Sequence, residues 1–205
     1  QRDWDEIKNN NRSPLLNRSM SGVYPPGSTI KMAVALAGLE SGIVDYKSKV
    51  FCKGFKELGD SNFHCWAKNG HGNVSLMQAI EQSCDVYFYE LGLKIGIDKI
   101  ALMMKKLGLG QYYDIELEDK AKGVVPNIEW KLKRDGINWT LGETLNASIG
   151  QGYILTTPLQ LVTMVSRIAN SKFAVNPSLI INDDNKNFSN LDKSLYTDYH
   201  YRSLQ

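Results

Sequence analysis

In YPPGSTIKMAVALAGLESGIVD, residues 24–45, a Pro-Pro-Gly turn leads into a serine, a lysine three places on, and a run of Ala, Leu, Met and Val. Pro25, Pro26 and Gly27 cannot continue a helix, and Ser28 is a residue type that caps one. The spacing predicts a helix over Lys31 to Leu39, stopped by Ser41-Gly42. Ser28 and Lys31 then share a face. A hydroxyl at a helix start lies in the positive end of the helix dipole, and a neutral lysine one turn on can take its proton. The same residues also allow a purely structural reading, with Ser28 as the N-cap and Lys31 as a solvated first-turn side chain.

Working outward, glycine-marked breaks separate further helical periods. Ser75 to Glu81 carries Leu76, Met77, Ala79 and Ile80, and Val86 to Leu91 follows after a break at Gln82 to Asp85. Asp98 to Leu107 repeats the pattern, with Asp98 as cap and Gly108 as stop. Thr157-Pro158 opens a helix over Leu159 to Ala169, whose Leu161, Val162, Val165 and Ile168 form an apolar stripe expected to be core. Strand signals are thin: Phe173 to Val175 and Ser178 to Ile181 alone look extended. The polar stretch 182–190 reads as a surface or poorly ordered loop.

At 205 residues and 42% hydrophobic, the chain is expected to be part of one globular domain, 1–205, with enough apolar surface for a core. The 24 basic and 22 acidic residues are interspersed, with no basic block to track phosphates, so nucleic acid is not an expected partner. The longest apolar run, Met32 to Leu39, is far short of the ~20 residues a membrane helix needs. The start at Gln1, with Trp4-Asp5-Glu6-Ile7 already amphipathic, suggests a piece of a longer protein.

Ser83-Cys84-Asp85 falls in the break between two helical runs, where an irregular segment would aim Ser83 and Asp85 to one side and Cys84 to the other. An S-x-x-K followed downstream by a serine triad of the S-D-N type makes the first two parts of a penicillin-interacting site, with K-T-G as the third. The stretches Asn17-Arg18 through Tyr24-Pro25-Pro26-Gly27-Ser28-Thr29-Ile30-Lys31, Gly70-His71-Gly72, Ser83 through Tyr89, and Ile149-Gly150-Gln151-Gly152-Tyr153 with Thr157-Pro158-Leu159-Gln160 carry a family likeness. Together they resemble a class B penicillin-binding protein, most like the elongation-type members of the penicillin-binding protein 2 group.

The resemblance implies an α/β (α+β) fold of the β-lactamase and D,D-peptidase kind, helices packed on an antiparallel sheet. It implies a serine D,D-transpeptidase that cross-links peptidoglycan stem peptides during cell-wall elongation and is blocked covalently by β-lactams. Carried over by position, Ser28 attacks the D-Ala-D-Ala donor, Lys31 takes its proton, and Ser83 relays a proton to the leaving amine. Asp85 stands where the wider family more often has Asn. The resemblance also implies a periplasmic domain of a single-pass inner-membrane protein, with a glycosyltransferase and shape-complex membrane proteins as partners. After Tyr153 there is no K-S-G or K-T-G, and Lys68-Asn69-Gly70 precedes the second motif. The third motif is therefore expected beyond Gln205, and this piece is expected to be inactive alone.

The three cysteines fall with one histidine in the run C-x12-C-x5-H-x12-C: Cys52, Cys65, His71 and Cys84. Three sulfurs and one imidazole form a donor set of structural zinc sites, and the expectation is a structural Zn2+ that braces the loop of Ser83 and Asp85. A Cys52–Cys65 disulfide with Cys84 buried and free is the alternative, and His64 is an alternative fourth ligand. No catalytic cofactor is expected. Gly150-Gln151-Gly152 lacks a third glycine and reads as a turn near the active site, not a nucleotide loop. Trp66, Trp130 and Trp139 are read as core before groove. Two other functions fit the same fold: a non-catalytic β-lactam sensor or scaffold, and a deacylating β-lactamase, for which no water-activating base can be assigned.

Overall fold

The computed structural model describes residues 2–117, 120–171 and 174–179. Among these, the chain runs through eight α-helices and four short strands: α1 (Arg2–Lys8), α2 (Lys31–Glu40), β1 (Lys49–Cys52), β2 (Phe55–Leu58), β3 (Ser61–His64), β4 (Gly72–Ser75), α3 (Leu76–Glu81), α4 (Asp85–Ile95), α5 (Ile97–Lys106), α6 (Ile128–Asp135), α7 (Leu141–Ser148) and α8 (Pro158–Asn170). The class is mixed α/β with antiparallel pairing, as expected. The strands form two antiparallel ladders, β1 with β4 and β2 with β3, in register Cys52 to Gly72 and Phe55 to His64.

Helices α2 and α4 form the centre. Ala33 to Leu36 are almost without solvent contact, as are Tyr87, Phe88 and Leu91 of α4, and α5 and α7 pack around them through Ile100, Met104 and Leu145. An α2 built of Ala, Val and Leu with no polar face after Lys31 is what a helix enclosed on all sides requires. Local signals set the helix starts. Ser75, Thr140 and Thr157 each close a reciprocal capping box with the Gln or Glu three residues on, and Asn127 caps α6.

Several details depart from the sequence-based expectations. Ser28 caps no helix: it lies in a one-turn 3-10 segment, Gly27–Ile30, that leads directly into α2, so its hydroxyl is free for other partners. Asp98 lies inside the first turn of α5, after an N-cap at Gly96, and accepts a hydrogen bond from the Ile128 backbone N–H, 3.2 Å. No strand forms at residues 174–179, while Phe173, Ile180, Ile181 and the stretch 182–190 lie outside the described residues.

The stripe of α8 is the largest correction. Leu161 and Ile168 are half-buried and pack against the core as expected, but Val162 and Val165 are exposed, and the fully buried face carries Gln160, Thr163, Met164 and Arg167. That face is polar because it receives loop carbonyls. Gln160 Nε2 donates to the carbonyls of Gln111 and Lys122, both at 2.9 Å, and Arg167 donates to those of Lys106 and Val175 and to Asn176 Oδ1. With such partners the buried polar groups avoid the cost of about 1–3 kcal/mol that each would carry if left unpaired.

Lys131, 2% exposed, pairs with Glu143 of the α7 capping box at 2.5 Å. Burial alone would push the Glu143 carboxyl up, but hydrogen bonds from Lys131 and Thr140 outweigh it and hold the group below its usual range. A depressed folded pKa contributes stability that is complete above the unfolded value, about 4.3, and is lost as the pH falls through the folded one. Thermal unfolding followed from about pH 7 to about pH 3 should therefore lose midpoint on the acid side. Glu143→Gln should lower the neutral-pH midpoint and flatten that part of the decline; an unchanged acid limb would contradict this account.

Candidate active site and metal cluster

Two segments far apart in sequence bring the candidate residues together. The 3-10 turn before α2 presents Ser28, and the first turn of α2 presents Lys31; the three-residue break between α3 and α4 presents Ser83 and Cys84, and Asp85 starts α4. Lys31 Nζ donates to the Ser83 carbonyl at 2.9 Å, to Ser83 Oγ at 3.0 Å and to Asp85 Oδ1 at 2.7 Å. Ser83 Oγ in turn donates to Ser28 Oγ at 3.0 Å. The order in space is thus Asp85, Lys31, Ser83, Ser28, with the Ser83 hydroxyl between the lysine and the serine. Lys31 is 2% exposed and lies 5.6 Å from the centre of the Phe88 ring.

The break that holds Ser83 is strained. Ser83 has φ +52°, a left-handed value that a residue with a Cβ adopts at a cost. In that conformation its carbonyl and its hydroxyl both face Lys31. Asp85 uses both carboxylate oxygens, the second accepting from the Trp66 backbone N–H at 3.0 Å. The sequence carries no signal for that contact, since it links residues in different elements.

The Gly150-Gln151-Gly152 turn packs against Gly27, the residue before the serine. The Gly27 N–H donates to the Gly150 carbonyl at 3.0 Å, and Gly150 has φ +75°, where a Cβ would fall only 2.1 Å from the Gly27 oxygen. Only glycine fits there. Beyond the turn, Tyr153 packs between Trp130 and Trp139, both half-buried, with the Arg134 guanidinium over Trp130 and Tyr153. Trp66, by contrast, is 65% exposed, so the core reading does not hold for it.

Cys52, Cys65, His71 and Cys84 converge on the other side of the Ser83 loop, their donor atoms all within 4.8 Å of one another. All three thiols are free, so no Cys52–Cys65 disulfide is formed. His71 Nδ1 lies 3.6 Å from the sulfurs of both Cys52 and Cys65, while its Nε2 is buried without a hydrogen-bond partner. Two backbone turns enclose the cluster, and Gly70 (φ +76°) approaches so closely that a Cβ would fall 2.1 Å from the Cys52 carbonyl oxygen. Burial, reinforced by the neighbouring thiols, pushes the Cys84 thiol up to about 12 and raises Cys65 as well. Tetrahedral zinc with bonds of about 2.3 Å to sulfur and 2.0–2.1 Å to nitrogen places S and N about 3.6 Å apart, so the donor set fits such an ion. His64 is on β3, where its carbonyl accepts from the Tyr89 hydroxyl, and it is not among the converging donors.

Known proteins resemble this chain in sequence and in fold. Residues 3–204 match the family described as the penicillin binding protein transpeptidase domain. The peptidoglycan D,D-transpeptidase MrdA of Acinetobacter baumannii is 42% identical over 181 residues, which make up 87% of this chain and 27% of that protein. The chain thus spans little more than a quarter of this relative's length. Pseudomonas aeruginosa PBP2, solved in complex with WCK 5153, is similar with a TM-score of 0.83 at 42% identity, covering 86% of this chain and 39% of that one. Helicobacter pylori PBP2, solved in complex with MreC, gives 0.90 at 37% identity, covering 100% of this chain and 38% of that one. Matched along almost its whole length in sequence and in fold, the chain belongs to the penicillin-binding protein transpeptidase family.

Proposed function

We propose that the chain is the serine-bearing part of a peptidoglycan D,D-transpeptidase that cross-links stem peptides and is acylated by β-lactams. The observation that carries this reading is the unbroken hydrogen-bond chain from Asp85 through Lys31 and Ser83 to Ser28. Lys31 donates three hydrogen bonds, the full complement of an ammonium, and so has no lone pair in this arrangement. Transfer of one proton along the 2.7 Å bond to Asp85 Oδ1 frees that lone pair. Once Lys31 carries the lone pair, the Ser83 hydroxyl turns its proton from Ser28 toward Lys31; Ser28 then passes its proton to Ser83 Oγ as Ser83 passes its own to Lys31, because a hydroxyl donates and accepts at once. Ser28 Oγ bonds to the penultimate D-Ala carbonyl carbon, the C–N bond to the terminal D-Ala breaks, and its amine collects a proton through Ser83. An acceptor amine attacks the resulting ester, forms the cross-link, and returns a proton to Ser28. In a β-lactam the leaving amine stays tethered to the acyl group, so the ester persists.

The Ser28 backbone N–H is one oxyanion donor in this scheme, and the second comes with a K-[ST]-G strand. A glycosyltransferase and shape-complex membrane proteins are the proposed cellular partners, the latter supported by the complex of Helicobacter pylori PBP2 with MreC. The proposed place of action is the periplasmic face of the inner membrane, with an anchor elsewhere in the protein. Among the described residues, no helix is long and apolar enough to cross a membrane.

Cys52, Cys65, His71 and Cys84 would hold a structural Zn2+. The ion would satisfy three thiols as thiolates and brace the Ser83 loop from behind without entering the chemistry. Because burial raises the Cys65 and Cys84 thiols, metal binding there would release protons and weaken as the pH falls.

Intact-mass spectrometry after benzylpenicillin treatment tests the acylation. A chain extended through a K-[ST]-G stretch should gain one penicilloyl mass on Ser28, and Ser28→Ala should gain none; an equal adduct on the alanine variant removes Ser28 from the role. Ser83→Ala should acylate roughly 100-fold more slowly or worse, as loss of a general acid–base group does. Metal analysis of the untagged chain should find about one zinc per molecule. Fewer than about one zinc in ten chains, with a disulfide in its place, would overturn the metal assignment.

A further inference from the structure

We infer that Trp66 is a positioning residue for acylation, the strut that holds Ser83 in its left-handed conformation through the indole N–H. The inference rests on the acylation chemistry proposed above, but its geometry is independent of any bound metal. Trp66 Nε1 donates to two carbonyls at once, those of Gln82 and Ser83, each at 3.1 Å. Its ring packs edge-on against His71 at 5.2 Å, and its own backbone N–H holds Asp85 Oδ2. One residue thus touches the cysteine–histidine cluster, the strained loop and the carboxylate partner of Lys31.

Exposure makes the arrangement informative. A tryptophan that is 65% exposed gains little from burial, so its place is not explained by core packing. Its single donor is spent on the loop. The Gln82 carbonyl belongs to the C-cap of α3, one of the acceptors a helix end leaves unpaired, and the indole satisfies it. The Ser83 carbonyl offers two lone pairs: Lys31 Nζ occupies one from inside at 2.9 Å, and the indole the other from the surface. Held from both sides, the Ser83 peptide cannot rotate, and the φ of +52° that points Oγ between Lys31 and Ser28 is retained. With the indole donor removed, the loop can relax toward negative φ, which carries Oγ away from its two 3.0 Å contacts.

The test separates the N–H from the ring. Benzothienylalanine, introduced at position 66 in a chain with the complete transpeptidase domain, keeps a bicyclic ring but puts sulfur where the donor stands; Trp66→Phe and Trp66→Ala accompany it. Stopped-flow acylation by benzylpenicillin resolves the dissociation constant from the acylation rate constant. Loss of one hydrogen bond of ordinary strength should slow acylation about 10-fold in the benzothienyl and Phe variants, with the dissociation constant changed less than about two-fold. In the same proteins, without ligand, amide exchange at Ser83 and Cys84 should quicken roughly 10-fold while that in the middle of α4 does not change. Full acylation in the benzothienyl variant with loss only in Trp66→Ala would mean that the exposed ring contacts the ligand, which overturns the strut. Unchanged exchange at Ser83 and Cys84 also overturns it, even if the wild-type chain forms no adduct; a wild type without adduct counts against the acylation chemistry alone.

Discussion

Burying one ammonium group organises this part of the molecule. Lys31 projects from the first turn of an otherwise apolar helix into a space where its side chain is 3% exposed, and such a charge costs several kcal/mol unless every N–H finds a partner. Three partners are present, and two of them belong to one residue, Ser83, through its carbonyl and its hydroxyl. A serine in a regular helix or strand cannot turn both groups toward one point. The break between α3 and α4, with its left-handed backbone, is what permits it. The hydroxyl that satisfies Lys31 has its own proton left to offer, and Ser28 accepts it, so the arrangement on which the proposed chemistry rests also meets the needs of the buried ammonium.

That break is only three residues long, and its two sides are used for different purposes. Ser83 faces the lysine, whereas Cys84 has no solvent exposure and points its sulfur at Cys52, Cys65 and His71. The donor atoms gathered around Cys84 lie behind the backbone that carries Ser83, and Trp66, the residue after Cys65, reaches the same loop from outside. The small ladders β1 to β4 carry or flank Cys52, Cys65 and His71. They contribute few buried side chains of their own, and the pairing of Cys52 with Gly72 brings the first cysteine beside the turn that carries His71.

Much of this arrangement is legible in the sequence. The Pro-Pro-Gly-Ser turn, the Thr157-Pro158 start of α8 and the Gln82 to Asp85 break are local signals, and local signals do not depend on what packs nearby. The cysteine–histidine set stands out in composition, since all three cysteines of the chain fall within 33 residues, with two of its three histidines among them. What the sequence conceals is long-range. The four-residue strands at residues 49–75 have too few positions to show a period, and their side chains are mostly half-exposed. The α8 stripe misleads because hydrophobic periodicity assumes an apolar buried face. Gln160 and Arg167 are buried because carbonyls from Gln111, Lys122, Lys106 and Val175 meet them, and no window of sequence around α8 contains all of those carbonyls.

The same long-range geometry accounts for the carboxylate at position 85. Its two oxygens face two donors: the Lys31 ammonium at 2.7 Å and the Trp66 backbone N–H at 3.0 Å. A carboxylate accepts on both sides. An amide offers one oxygen and one NH2, so asparagine here would aim its NH2 either at the ammonium or at the peptide N–H, donor against donor. Both orientations leave a hydrogen-bonding group unpaired beside a buried charge, the costly case, whereas the carboxylate also neutralises Lys31. The residue choice at 85 therefore fits the position of Trp66, which directly follows Cys65 of the cluster. A feature that reads as a substitution within a motif is, in space, the meeting point of the lysine that needs a counter-charge and the loop that needs an anchor.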